Sequence, residues 1–153
     1  MQPRMNYFGV APKALQPMLE MEKACRASGL DHSLYELVKI RASQINGCAF
    51  CIHMHTNEAR AHGETDDRMH LLAAWPESPL FSPRERAALA WTEALTLVSQ
   101  THAPDDVYDE LGRHFTEEEI VKLTMMIVTI NGWNRLSVGF RSIHPVETAS
   151  DAA

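Results

Sequence analysis

Two of the three cysteines, a histidine and a glutamate lie within one stretch of twenty residues. Their spacing is Glu-x11-Cys-x2-Cys-x3-His, which places Glu36, Cys48, Cys51 and His55 in a single pattern. The thiolate is the nucleophilic form of cysteine, and its pKa falls near a histidine, near a helix N-terminus or in a Cys-x-x-Cys pair. The pattern therefore indicates thiol chemistry, with His55 as the base and Glu36 as a carboxylate that orients the imidazole or relays its proton.

The segment Asn46-Gly47 is a break signal, and the residues after it predict a helix. On a helix with about 100° per residue, Cys48 and Cys51 are about 60° apart, and His55 returns to within about 20° of Cys48. These three side chains then share one face, whereas His53 lies on the opposite side. Residues one turn apart are close enough for a disulfide, so the spacing allows a redox pair.

The same residues allow other interpretations. The two thiols could hold zinc with His53 or His55, although a closed structural site normally uses four ligands. Two inert buried cysteines are a further alternative, whereas a permanent disulfide would close a very short loop and constrain little. Glu36 also fits a capping box that begins at Ser33, or a surface ion pair with Lys39.

Glu36, Cys48, Cys51 and His55 carry a family resemblance by their type and spacing. Through them the sequence resembles the AhpD-like alkylhydroperoxidases of the carboxymuconolactone decarboxylase superfamily. The likeness also rests on the neighbouring residues 41–51 and 55–60, and residues 131–135 are similar to this family as well. Its core covers residues 30–75. The resemblance implies an all-α, AhpD-like antiparallel helical domain over residues 1–153, which assembles into a homo-oligomer, either a trimer or a hexamer.

The resemblance also implies a mechanism. A small hydroperoxide is reduced in antioxidant defence, with Cys51 as the peroxidatic thiol and Cys48 as the resolving thiol. His55 is then the base, and Glu36 completes the proton relay. No bound cofactor is expected, and an external dithiol, either a reductant protein or a lipoyl-type donor, restores the pair.

Two features of the motif favour alternatives to this mechanism. Phe50 occupies the position where the type member of the family has a histidine, so the relay lacks one polar group. A thiol–disulfide oxidoreductase or redox sensor with weak peroxidase activity is therefore the first alternative, and a non-catalytic zinc-binding helical oligomer is the second. The helix N-terminus, taken alone, favours Cys48 as the thiol of lower pKa, whereas the adjacent His55 favours Cys51.

Composition excludes several classes of function. The chain has 153 residues with 14 basic and 20 acidic side chains, and the formal charge of −6 argues against a nucleic-acid surface. No charge-free apolar run is long enough to predict a membrane span. The first residues lack the apolar region of a signal peptide, and three cysteines without such a signal predict reactive thiols in a reducing, cytoplasmic compartment.

Helix start and stop signals predict six or seven helices. The predicted elements are an extended arm over 1–10, helices over 12–29, 31–44, 48–62, 65–75, 82–98, 104–114 and 116–140, and a disordered tail over 144–153. Residues 120–130 are apolar on nearly every side, which predicts a helix buried all round, either at the centre of the domain or in a subunit contact.

Four further residues need an explanation. Cys25 has no partner at motif spacing and is predicted to be a packed apolar residue. Asn131, Asn134 and Arg135 are polar groups on the most apolar helix. Since buried polar groups need partners, they are expected either to bond to the backbone or between helices, or to lie near the thiols or in an oligomer contact.

Overall fold

The computed structural model describes residues 1–146, which form nine α-helices and one 3₁₀ helix without any strand. The α-helices are α1 Tyr7–Val10, α2 Pro12–Arg26, α3 His32–Ile45, α4 Ala49–Ala61, α5 Asp66–Leu71, α6 Pro83–Thr96, α7 Val98–Thr101, α8 Asp105–Gly112 and α9 Glu117–Phe140; the 3₁₀ helix is Leu72–Glu77. The all-α class is confirmed. Most of the predicted tail, residues 147–153, lies outside the described residues, and residues 144–146 have no regular secondary structure.

The predicted count of six or seven helices is too low, because the sequence pattern does not reveal the one-turn helices α1 and α7. Helix α1 lies in the predicted extended arm, where the Asn6 side chain caps it by accepting a hydrogen bond from the backbone of Gly9. Helix α7 is separated from α6 by Leu97, whose φ of −102° and ψ of 29° interrupt the predicted helix over 82–98. A single turn is too short to show an apolar period.

Side-chain caps determine where several helices begin. Ser82 and Thr116 each form a complete capping box with the glutamate three residues later. Asp31 caps α3, so Ser33 lies inside that helix. The capping box considered at Ser33 and Glu36 is therefore wrong, and Glu36 has a different role.

Helix α3 is at the centre of the fold and packs against α4, α6 and α9. Nine of its 14 residues are buried, including every position from Leu34 to Ile40. Because burial extends around the whole helix, the charged side chains of Glu36 and Lys39 are buried as well. The surface ion pair considered for these two residues is therefore wrong.

Helix α9 runs without interruption for 24 residues and packs on α2, α3, α4, α6 and α8. Within a single chain α9 is not buried all round, since Val121, Met125 and Val128 are 62%, 42% and 49% exposed. Their spacing of four and three residues places them on one stripe. The alternative that this helix is buried in a subunit contact stays a prediction. Within residues 1–146, neither α9 nor any other helix is long and apolar enough to cross a membrane.

Cys25 is buried in the core between α2 and the other helices, with its sulfur 3.5 Å from Thr129 Oγ1. The prediction of a packed residue is confirmed.

Candidate active site

The two thiols lie at the junction between α3 and α4. The chain turns at Gly47, whose φ of +67° is in the left-handed region, and Cys48 then becomes the N-cap residue of α4. The backbone N–H of Cys51 donates to Cys48 Sγ at 3.4 Å. The Cys48 sulfur thus occupies the position where a helix N-terminus favours negative charge.

An asparagine network holds this junction against α9. Asn46 Nδ2 donates to Oδ1 of both Asn131 and Asn134 at 2.9 Å, and Asn134 Nδ2 donates to Ser43 Oγ at 2.9 Å. Arg135 in turn donates to the Asn131 carbonyl at 2.8 Å. Asn131 and Asn134 therefore bond between helices, and Asn134 also lies beside the thiols, whereas the bonds of Arg135 to Asn131 stay within α9.

Both cysteines are free thiols and only 1% exposed. The hydrogen bond from the Cys51 thiol is the largest cause that lowers the pKa of Cys48 to about 6, with further bonds from Asn134 and Ser137, against the opposing effect of burial. The Cys51 thiol donates this hydrogen bond to Cys48. The bond, together with burial and the negative charge of Cys48, raises the pKa of Cys51. The pair therefore loses one proton readily and keeps the other.

His55 on α4 and Glu36 on α3 form a buried pair. His55 Nδ1 lies 2.8 Å from Glu36 Oε2, and both side chains are 1% exposed. Burial by itself lowers the pKa of His55, but the hydrogen bonds with Glu36 and Glu58 outweigh it, so the pKa is raised overall. This ring is a stronger base than an unpaired imidazole.

Glu58 is a member of this group that the sequence analysis does not identify. Its Oε2 lies 3.6 Å from His55 Nδ1 and 3.0 Å from the guanidinium of Arg26. The hydrogen bond from His55, followed by that from Arg26, lowers the pKa of Glu58 to about 2 despite burial. Its position three residues after His55 on the same helix is the sequence signal that could have identified it.

A cavity of about 270 Å³ opens beside Cys51 and His55. Its other lining residues are mostly aromatic or aliphatic: Tyr7, Phe8, Leu19, Glu22, Arg26, Phe50, Met54, Trp133 and Ser137. Cys48 faces a different cavity of about 190 Å³. His53 lines neither cavity, and its ring packs 4.7 Å from His144.

Helix α1 supplies part of the roof of the cavity beside Cys51. The Phe8 ring stacks on Trp133 at 6.2 Å, and the Tyr7 ring stacks on Phe140 at 5.1 Å. The backbone of Arg4 also donates to the Phe140 carbonyl at 2.9 Å. The N-terminal segment is thus held on the end of α9, where its aromatic rings can contact a bound molecule.

A second buried charged cluster borders the same cavity. The ammonium of Lys39, which is fully buried, donates to Glu22 and to the Tyr35 hydroxyl, and Trp133 Nε1 donates to Glu22 at 3.2 Å. Burial lowers the pKa of Lys39. Burial raises the pKa of Glu22, but Lys39 outweighs it and the pKa is lowered overall. Glu22 is remote in sequence from the motif, so no local pattern predicts it.

Within residues 1–146, one group of side chains could hold a metal ion. It consists of Glu36, His55 and Glu58, whose ligand atoms lie within 4.8 Å of one another. Neither thiol belongs to this group, and nor does His53. The arrangement therefore does not favour a zinc site made from the cysteine pair.

Comparisons with known proteins identify the family of this chain. The model of the carboxymuconolactone decarboxylase family matches residues 12–94. Protein YdfG of Bacillus subtilis (strain 168) is 44% identical over 138 residues, which cover 90% of this chain and 94% of that protein. Protein YnjA of Escherichia coli (strain K12) is 32% identical over 117 residues, which cover 76% of this chain and 62% of that protein.

A crystal structure of a protein of unknown function from Agrobacterium tumefaciens, assigned there to antioxidant defence as an AhpD protein, superimposes with a TM-score of 0.94. It is 46% identical and matches 95% of this chain and 100% of its own. The chain therefore belongs to the carboxymuconolactone decarboxylase family, among its AhpD-like proteins.

Proposed function

We propose that the protein reduces hydroperoxides with Cys51 and Cys48, as an antioxidant peroxidase. The observation that carries this proposal is that Cys51 and His55 share the wall of one cavity, while Glu36 holds His55 Nδ1 at 2.8 Å from the far side. Membership of an AhpD-like family supports a peroxidase-related role.

In the proposed reaction the Cys51 thiolate attacks the hydroxyl oxygen of the peroxide. The S–O bond forms as the O–O bond breaks, and the alkoxide leaves as an alcohol after taking the proton that His55 received from the thiol. Cys48 then attacks the sulfenic sulfur of Cys51, and water leaves as the disulfide forms. An external dithiol restores both thiols by exchange, which returns the two electrons given to the peroxide.

The lower pKa of Cys48 is compatible with attack by Cys51. Because the two thiols share one proton across their hydrogen bond, their pKa values belong to the pair rather than to either sulfur. Cys51 is the sulfur that lines the cavity with His55. Transfer of the shared proton to Cys48 or to His55 therefore places the anion on the cysteine that lines the cavity with His55.

The walls of the cavity favour an organic hydroperoxide. Tyr7, Phe8, Phe50 and Trp133 surround the space beside Cys51 with aromatic surface. Such a lining binds an apolar body, whereas hydrogen peroxide offers no apolar surface to bury.

The test is a thiol count before and after one equivalent of an organic hydroperoxide, with mass analysis of the products. We expect the parent protein to lose two thiols to a bond between Cys48 and Cys51. The Cys48→Ser variant should stop at a sulfenic acid on Cys51, and Cys51→Ser should react at least about 100-fold more slowly. Cys25→Ser is the matched control and should behave as the parent.

A Cys51→Ser variant that reacts with hydroperoxide as fast as the parent would show that the two cysteine roles are reversed or that the peroxidase proposal is wrong.

The second candidate is a thiol–disulfide oxidoreductase or redox sensor with weak peroxidase activity. Two observations favour it: a pKa of about 6 gives Cys48 a thiolate at neutral pH, and Phe50 occupies the wall of both cavities where a relay histidine is absent. Fast exchange with a disulfide reagent, combined with slow oxidation by every hydroperoxide tried, would support this candidate over the first.

A further inference from the structure

Access to Cys51 is nearly closed in the folded chain. Cys51 and His55 are each only 1% exposed, although both line the cavity of about 270 Å³. A cysteine reacts only with a molecule that reaches its sulfur, and reactive cysteines are usually partly exposed. A reactant therefore needs part of the cavity wall to move before it contacts this thiol.

The parts of the wall differ in how firmly they are held. Most lining residues belong to α2, α4 and α9, which are 15, 13 and 24 residues long. Tyr7 and Phe8 belong instead to α1, a single turn whose four residues all retain solvent exposure. Local opening costs least where few apolar groups are buried. The segment around α1, residues 4–10, is therefore the part of the wall that moves most easily.

This segment is attached to the end of α9 by Arg4. The Arg4 backbone donates to the Phe140 carbonyl and its guanidinium donates to the Gly139 carbonyl, both at 2.9 Å. The last carbonyls of a helix lack intrahelical partners, and a cation is favourable beside them. A second cavity, of about 210 Å³, is lined by Met5 and Val10 and by side chains of α2 and α9. The segment is thus anchored at one point but loosely packed on the helices below it.

We propose that residues 4–10 form a movable cover over Cys51, and that Phe8 limits the size of the molecules that reach the thiol. The Phe8 ring lines the cavity, stacks on Trp133 at 6.2 Å and is 45% exposed, so it lies between solvent and the cavity. Trp133 Nε1 donates to Glu22 at 3.2 Å, which fixes the indole. Phe8 is therefore the member of the stack that leaves when the cover opens.

The experiment measures alkylation of Cys51 by two iodoacetamides of different size, in the full chain carrying Cys25→Ser and Cys48→Ser. In both reagents the sulfur bonds to the same kind of carbon as iodide leaves, so the ratio of the two rates cancels any change in the thiolate fraction. Phe8→Ala should raise the rate with a bulky fluorescein iodoacetamide by about tenfold relative to the rate with iodoacetamide itself, because the aromatic stack that holds the cover is lost.

Arg4→Met should shift the ratio in the same direction, since it removes the guanidinium contact with α9. Val10→Ala and Lys13→Met are the matched controls, because both side chains are exposed and lie outside the lining of this cavity, and they should leave the ratio unchanged. Phe8 is not buried, so its variant should fold, and circular dichroism checks this.

Two results would overturn the proposal. One is a Phe8→Ala ratio equal to that of Val10→Ala. The other is a folded parent chain that discriminates between the two reagents no more than the same chain unfolded in urea. Because alkylation needs no peroxide, failure here leaves the proposed function standing, and a protein that reduces no hydroperoxide can still pass this test.

Discussion

At the scale of single residues, His55 links the charge of the site to the stability of the fold. Its pKa is raised because the bonds with Glu36 and Glu58 outweigh the effect of burial. A group whose pKa is higher in the folded than in the unfolded chain adds stability below its unfolded value of about 6.5, and that stability is lost as pH rises through the folded value. Glu58, with a pKa of about 2, stays ionised throughout this range.

We therefore predict that His55→Gln lowers the free energy of unfolding more at pH 6 than at pH 9. The loss should be larger at the lower pH, because the interaction of His55 with the two carboxylates stabilises the fold only while the ring keeps its proton. Urea unfolding at both pH values measures it, with His70→Gln as the control. An equal loss at both pH values would show that the charge of His55 does not stabilise the fold.

Lys39 is the other residue whose burial has a large consequence. It is fully buried, and its ammonium bonds to Glu22 and Tyr35. Lys39→Met leaves the Glu22 carboxylate without its cation, and we expect a loss of about 3 kcal/mol in the free energy of unfolding.

Lys122→Met removes a partly exposed ion pair with Glu118 and should cost less than about 1 kcal/mol, which makes it a control in the same unfolding measurement. The combined change Lys39→Met with Glu22→Leu should recover part of the loss, because no unpaired charge is left. If Lys39→Met is no worse than Lys122→Met, the buried cluster contributes little to stability.

At the scale of elements, the turn between α3 and α4 sets the position of the thiols. Gly47 adopts a φ of +67°, and no atom within 4 Å would meet an added Cβ. The requirement for glycine is therefore conformational rather than steric. The turn places Cys48 at the helix N-cap, and Asn46 ties it to α9 through Asn131 and Asn134.

Gly47→Ala should lower the free energy of unfolding by about 1–2 kcal/mol, the cost of a left-handed conformation for an L residue. Gly112→Ala is a matched control: Gly112 is helical and also has open space around it, so alanine there should raise stability by up to about 1 kcal/mol. Denaturant midpoints of the two variants test the opposite signs. Equal shifts in the two variants would contradict the conformational explanation.

At the scale of the whole molecule, the exposed stripe on α9 is the feature that a single chain does not explain. Val121, Met125 and Val128 lie on one face of the longest helix and are at least 42% exposed. Contiguous apolar surface of this kind is typical of contact sites. It agrees with the alternative interpretation of this helix as a subunit contact.

We predict that the protein is a trimer or hexamer of its 17.2 kDa chain and that this stripe lies in the interface. Val128→Lys should then reduce the mass measured by light scattering, because it buries an unpaired charge between subunits. Leu71→Lys is the control, since Leu71 on α5 is exposed to a similar extent, 43% against 49% for Val128. An unchanged mass for Val128→Lys would place the interface elsewhere.

Much of the fold follows from local signals. Pro12, Asp31, Thr65, Ser82 and Thr116 mark helix starts because capping and the proline ring act within a few residues, and the structure places helices there. The interruption at Leu97 and the turn of α1 were not predictable, because neither has a repeating apolar pattern or a strong break residue.

The candidate site also has one part that follows from local sequence and another part that does not. Cys51 and His55 are four residues apart on α4, so helical geometry alone brings these two side chains to one face. The predicted shared face does not extend to Cys48, which is the N-cap residue and lines a different cavity. The partners of these three side chains come from other helices: Glu36 from α3, Asn134 from α9 and the cavity walls from α1, α2 and α9.

The sequence by itself determined the class of fold and the spacing of Cys48, Cys51 and His55, because caps, turns and side chains one turn apart interact over a few residues of chain. Only the tertiary structure decided which charges are buried, which sulfur faces the aromatic cavity and which carboxylates surround His55. These depend on packing between helices far apart in sequence, and no local pattern carries that information.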